Sequence, residues 1–176
     1  MLLYIACGES NDIPEKYLDD CRDALDYLLT DNDLLFGACD RGLMGCAYRS
    51  ALAHGREIVG VCPKIYEGDF ANLQCTEEIT TDGIVESVNL MVEKCDALVV
   101  IPGGFGTLYE FFLAMQGIIC KEFNKTIVIY NSCGFYDEIL GYFKKIAKEG
   151  FVKEAVMNSF VVANNLDELK ATFGND

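Results

Sequence analysis

Three glycines, a threonine and a glutamate stand close together in IPGGFGTLYEFF, Ile101 to Phe112. Gly103, Gly104 and Gly106 free the backbone of side chains, so the chain can turn sharply and its N–H groups can approach an anion. Phe105 lies inside the turn, and a helix beginning near Thr107 adds the favourable end of its dipole. The Thr107 hydroxyl has two uses, as a donor to a phosphate oxygen or as a helix cap. Glu110 also has two: T-x-x-E is the pattern of a capping box, and a carboxylate beside an anion-holding turn can face a substrate. No G-K-[ST] follows and the glycines do not read G-x-G-x-x-G, which argues against kinase-like and classical dinucleotide binding.

Such a turn works only at the carboxyl end of a strand, where loops diverge and helix N-termini converge. DALVVIPGG, a nearly unbroken apolar run closed by glycines, reads as a central parallel strand buried on both faces. Around it the chain alternates LLYIAC, a segment from Pro14 to Leu29, DLLFGA, a helix from Gly42 to His54, and EIVGVC. Pro14 suits a first helical turn, and Tyr17, Cys21, Ala24, Leu25 and Leu28 recur at helical spacing. Residues 63–80 are the least regular, a connection across the top of the sheet with one short strand, EEIT. A helix from Asp82 to Cys95 carries Ile84, Val88, Met91 and Cys95 on one face, read as core. Helix 107–121, strand TIVIYN, helix 135–149, strand SFVVAN and the helix LDELKATF complete the series. The rhythm predicts an α/β fold: a three-layer, Rossmann-like open parallel sheet with helices on both faces, in one domain over 1–176.

The chain has 176 residues, about half of them hydrophobic, and a formal charge of −14 from 28 acidic and 14 basic residues. That field opposes the counterion release that draws proteins onto nucleic acid, so DNA and RNA are not expected partners. A small anion is still accommodated, because local N–H groups outweigh a global field that salt screens. No apolar run reaches the roughly 18 to 20 residues of a membrane span, and MLLYIACG lacks the form of a signal peptide, which points to a cytoplasmic protein. Nine cysteines contain no C-x-x-C pair and are read as buried reduced thiols, while the single His54 sits at an expected helix end. Neither a metal nor a cofactor is expected.

PGGFGTLYE, Pro102 to Glu110, resembles the P-G-G-x-G-T-x-x-E signature of the LONELY GUY (LOG) family of phosphoribohydrolases. IACGES is similar to the family's first strand ending in C-G-S-S, GLMG from Gly42 to Gly45 matches its G-L-M-G turn, and EIVGVCP and GFYDEILGYFKKIAKEGFV are similar to later segments. The resemblance implies that a nucleoside 5′-monophosphate binds with its phosphate at Gly103, Gly104, Phe105, Gly106 and Thr107. Gly8, Ser10 and Gly42 stand at further nucleotide-binding positions, and Glu110 matches the family's essential glutamate. Water then cleaves the N-glycosidic bond. A homodimer is expected by the same resemblance.

The match breaks at three places. Counting back from Pro102, Ser87 stands where the family's M-H-x-R-K has its arginine, removing a donor worth about 3 kcal/mol, or two orders of magnitude in rate. In FGACDRGLMG, Ala38 and Cys39 replace glycines, and Asp40 and Arg41 add charge; Arg41 either replaces the lost arginine or pairs with Asp40. Glu9 stands at the first serine of C-G-S-S, where it points away from a phosphate or meets a ribose hydroxyl or another ligand. Loss of the arginine beside a retained phosphate turn favours an alternative, a noncatalytic carrier or sensor of a nucleotide-derived ligand, as in molybdenum cofactor carriers.

Overall fold

The computed structural model describes residues 1–122 and 124–174. Seven strands form one parallel sheet: β1 (Leu2–Ala6), β2 (Asp33–Phe36), β3 (Ile58–Pro63), β4 (Glu77–Thr81), β5 (Ala97–Val100), β6 (Thr126–Tyr130) and β7 (Val161–Ala163). Their order is β4-β3-β2-β1-β5-β6-β7, so the chain winds outward from β1 in one direction and from β5 in the other. The register pairs Leu3 with Ala97 and Ala6 with Val100, which sets the ends of β1 and β5 side by side. That reversal point is where an open parallel sheet offers a crevice.

Six helices cover the sheet: α1 (Glu15–Asp31), α2 (Gly42–Ala53), α3 (Ile84–Lys94), α4 (Phe105–Cys120), α5 (Asp137–Lys148) and α6 (Leu166–Phe173). Two apolar clusters, one on each face of the sheet, hold the layers together. Leu3, Ile5, Leu25, Leu28, Leu34 and Phe36 are in the first, while Tyr4, Leu98, Val88, Met91, Phe111 and Phe143 are in the second. Alternation along β1 sends Leu3 and Ile5 to one cluster and Tyr4 and Ala6 to the other, as a twofold pleat requires.

The expected alternation holds, with shifted boundaries. Pro14 is the residue before α1, not a member of its first turn. The connection after β3 is a 3₁₀ segment, Lys64–Asn72, and EEIT is the edge strand β4. On α3, Val88 and Met91 are buried as expected, and so is Cys95 just past its end, but Ile84 is exposed and belongs to the crevice instead. No described helix is long and apolar enough to cross a membrane.

Candidate nucleotide site

The ends of β1 and β5 are tied together before any helix begins. The Ile101 amide donates to Ala6 O at 2.9 Å and the Gly8 amide to Pro102 O at 3.0 Å. From the far side the buried Tyr136 hydroxyl donates to Ile101 O at 2.9 Å, and the Asn131 side chain accepts from the Tyr136 amide. Above this platform opens a crevice of about 710 Å³. It gathers Gly8, Ser10, Arg41, Ser87, Gly103, Gly104, Gly106, Thr107 and Glu110 from four separate stretches of sequence. Phe105 and Gly42 do not line it, and the Phe105 side chain is 93% exposed.

Helix α4 begins at Phe105 with Gly104 as its N-cap, two residues earlier than Thr107, and no side chain caps it. The capping-box reading of T-x-x-E therefore fails: Thr107 lies within the first turn, and Glu110 is too far along the helix to bond the N-cap amide at Gly104. A threonine attracts the cap assignment on propensity, but the chain completes its turn at the glycines. No protein acceptor among the described residues meets the N–H groups of Phe105, Gly106 and Thr107, and the Leu108 amide is the first to find one, at Gly104 O. A helix end with its first amides unpaired, facing a crevice, is an anion site in form.

The glycines of the turn divide by purpose. A Cβ on Gly103 would stand 2.7 Å from Thr107 Cβ and 2.9 Å from the Gly8 nitrogen, so the fold itself requires a glycine there. A Cβ on Gly104 or Gly106 would meet nothing within 4 Å among the described residues. Gly106 is helical and so costs up to about 1 kcal/mol relative to alanine without a packing reason.

Glu110 is partly buried, and loss of hydration raises its carboxyl from an ordinary 4.5 to about 7, against an opposing pull from the Tyr4 hydroxyl. A carboxyl that titrates near neutrality can both take and return a proton. Tyr4 is fully buried on β1, and burial, then the charge of Glu110, push its own ionisation well up.

The GLMG turn is built differently. Gly42 has φ +52°, and a Cβ there would stand 2.6 Å from the Glu9 carbonyl carbon. Its amide donates to Asn11 Oδ1 at 2.9 Å, while the Leu43 and Met44 amides donate to Gly8 O. The start of α2 is thus closed by the β1–α1 loop, and Gly42 shapes that loop from behind instead of touching the crevice. Ser10 lines the crevice, with its hydroxyl oxygen accepting from the Asp12 amide at 3.1 Å. Arg41 does not pair with Asp40. It reaches Glu9 across the crevice mouth at 2.5 Å, while Asp40 pairs with Arg49. The Arg41 guanidinium, aided by the Cys39 thiol, holds the Glu9 carboxyl below its usual range despite some desolvation.

Ser87 is buried on the crevice wall and hydrogen-bonded to the Thr81 hydroxyl, so it presents no charge where the arginine motif was expected. The rest of the wall is apolar, and sequence reasoning missed most of it: Tyr17, Met44, Tyr66 and Phe135 come from four different elements. Phe135 stacks edge-on against Tyr17, with ring centroids 5.4 Å apart. Only the crossover topology brings them together, although an aromatic at the start of α1, facing the loop side, was an available signal. All nine cysteines are free, five of them buried, and the described residues contain no cluster of His, Cys, Asp or Glu suited to a metal. His54 directly follows α2 and meets Asp26 at 2.9 Å.

Comparison with known proteins agrees with this architecture. The family profile described as "Possible lysine decarboxylase" matches residues 44–173. A probable cytokinin riboside 5′-monophosphate phosphoribohydrolase of Arabidopsis thaliana is 30% identical over 175 residues, covering 94% of this chain and 83% of that protein. A cytokinin riboside 5′-monophosphate phosphoribohydrolase of Rhodococcoides fascians is 31% identical over 136 residues, 76% of this chain and 69% of that protein. A rice relative with the same probable activity, 30% identical, is spanned over 60% of its length. Among solved structures, the molybdenum cofactor carrier protein of Chlamydomonas reinhardtii superposes with a TM-score of 0.72 at 22% identity, covering 97% of this chain and 94% of that one. The molybdenum cofactor binding protein of Rippkaea orientalis follows at 0.67 and 16% identity, covering 97% and 93%, and both likenesses concern the fold. The matched profile and the curated relatives together place the chain in the "Possible lysine decarboxylase" family, the LONELY GUY (LOG) family of phosphoribohydrolases.

Proposed function

We propose that the protein binds a nucleoside 5′-monophosphate with its phosphate on the amides of Phe105, Gly106 and Thr107, and hydrolyses its N-glycosidic bond with Glu110. The observation that carries this reading is the convergence, in one crevice, of a helix N-terminus with no side-chain cap and the partly buried carboxyl of Glu110, which desolvation raises to about 7. The Thr107 hydroxyl supplies a further donor to the phosphate. Gly104 and Gly106 leave room for its oxygens to reach the backbone. The apolar wall formed by Tyr17, Met44 and Phe135 takes the base.

Departure of the base leaves positive charge on the ribose, which the Glu110 carboxylate offsets while accepting a proton from the attacking water. The C–N bond breaks, the water oxygen bonds the anomeric carbon and keeps one proton as the new hydroxyl, and the base leaves with the electron pair and the proton that Glu110 took from the water. The products are free base and ribose 5-phosphate.

A second reading, binding without turnover by a carrier or sensor of a nucleotide-derived ligand, is favoured by Ser87, whose hydroxyl is engaged by Thr81 where a cation would assist the departing base. Thermal stabilisation and free-base release, measured together with AMP and base-modified adenosine monophosphates, separate the two. Stabilisation with base release is the expected result. Stabilisation alone establishes the carrier reading, and neither effect with any nucleotide removes the phosphate site.

A further inference from the structure

We infer that Glu9 reads the sugar of the bound nucleotide, its carboxylate accepting a hydrogen bond from a ribose hydroxyl, so that the crevice takes ribonucleotides in preference to their deoxy analogues. This rests on the reading of the α4 start as the phosphate site. Glu9 lies on the loop that leaves β1, and its backbone is held from two sides. The Gly8 amide donates to Pro102 O at 3.0 Å, and Gly8 O accepts from the amides of Leu43 and Met44. The Glu9 carbonyl packs so closely on α2 that a Cβ on Gly42 would stand 2.6 Å from its carbon. The side chain is fixed as well: Oε2 accepts from Arg41 Nη2 at 2.5 Å and from Cys39 Sγ at 3.4 Å, two donors on the loop after β2. Among the described residues none donates to the other oxygen, Oε1. Glu9 lines the same crevice as Thr107 and Glu110. Arg41 holds the group in its ionised form, which accepts hydrogen bonds and donates none.

What this carboxylate can take follows from its place. Gly8, the residue before it, abuts the phosphate turn, where a Cβ on Gly8 would stand 3.4 Å from Gly103 Cα. In a nucleoside 5′-monophosphate the group bonded to the phosphate is the ribose, and its 2′ and 3′ hydroxyls are donors that an anionic oxygen accepts. The phosphate itself offers only like charge, which the Arg41 ion pair offsets at Glu9. Glu110 is engaged with water in the proposed reaction, so Glu9 is the carboxylate left for the sugar.

The test is calorimetric titration of the wild-type protein and Glu9→Ala with AMP, 2′-deoxy-AMP and 3′-deoxy-AMP. The wild type is expected to bind AMP about tenfold or more tightly than at least one deoxy analogue, and Glu9→Ala to bind that analogue and AMP within about threefold of each other. The ratio is the readout, so a uniform change in affinity from releasing Arg41 cancels. If Glu9→Ala does not fold, the same ratio is read in Glu9→Leu. A wild type that binds all three alike, or a variant that keeps the preference, overturns the inference and leaves the phosphate site standing. Binding of none of the three strikes the phosphate site itself, and the inference with it.

Discussion

Two glycine-bearing helix starts face the same crevice region, and they are finished in opposite ways. At α2 the amides of Gly42, Leu43 and Met44 are already bonded, to Asn11 Oδ1 and Gly8 O, and that of Gly45 bonds Arg41 O. At α4 the amides of Phe105, Gly106 and Thr107 have no protein acceptor among the described residues. Similar composition therefore serves two purposes. The glycine of the first start is needed by the fold, because of its positive φ and the backbone against it; at two glycines of the second, a Cβ would meet nothing within 4 Å among the described residues. A helix start sealed by its own chain is architecture, and the one left unsealed beside Glu110 is where we propose that the phosphate binds.

The sharpest way to break this contrast is substitution by alanine at both starts. Gly42→Ala forces a side chain into φ +52° and against the Glu9 backbone, so urea unfolding should show a loss of about 2–4 kcal/mol. A loss below about 0.5 kcal/mol would remove the structural role assigned to Gly42.

Next in size is the charge that α4 carries. Glu110 has a folded pKa of about 7 against an ordinary 4.5, so between those values the folded chain holds a proton the unfolded chain has lost. Stability therefore falls as pH rises through that window and levels above it. Glu110→Gln should abolish the fall and leave the protein more stable at pH 8, on the order of 1–3 kcal/mol, while base release is lost. A capping role predicts the reverse, a less stable protein with nucleotide handling intact.

Gly106→Ala should leave the free protein as stable or up to about 1 kcal/mol more stable, yet weaken AMP binding tenfold or more, about 1.4 kcal/mol. Calorimetric titration beside thermal unfolding checks both halves. Smallest is Glu9→Gln, which frees Arg41 from an ion pair whose side chains are 54% and 56% exposed; stability should change by about 0.2–1 kcal/mol at most. If Arg41 then turns to the phosphate, AMP affinity rises in low salt. Unchanged affinity would exclude Arg41 as the substitute for the missing arginine.

What the sequence made legible follows the same division. The alternation of strands and helices, the glycine turn and the place of Glu110 were readable because they rest on local patterns: apolar runs, one of them ended by glycines, and spacing along one helix. The start of α4 was misplaced because Thr107 looks like a better cap than Gly104, and only the packed chain shows Thr107 Cβ to be pressed against Gly103. The pairing of Arg41 with Glu9 was neither of the alternatives weighed for it, since nothing in sequence says that the β1–α1 loop folds over α2 and brings Glu9 to it.

The central claim, that the start of α4 holds a phosphate and the start of α2 does not, is tested most directly by amide NMR of the ¹⁵N-labelled protein titrated with AMP. The account predicts large, saturable shifts at Phe105, Gly106 and Thr107, with the amides of Gly42, Leu43 and Met44 moving little. Saturable binding that shifts the α2 amides and spares those of α4 would contradict it.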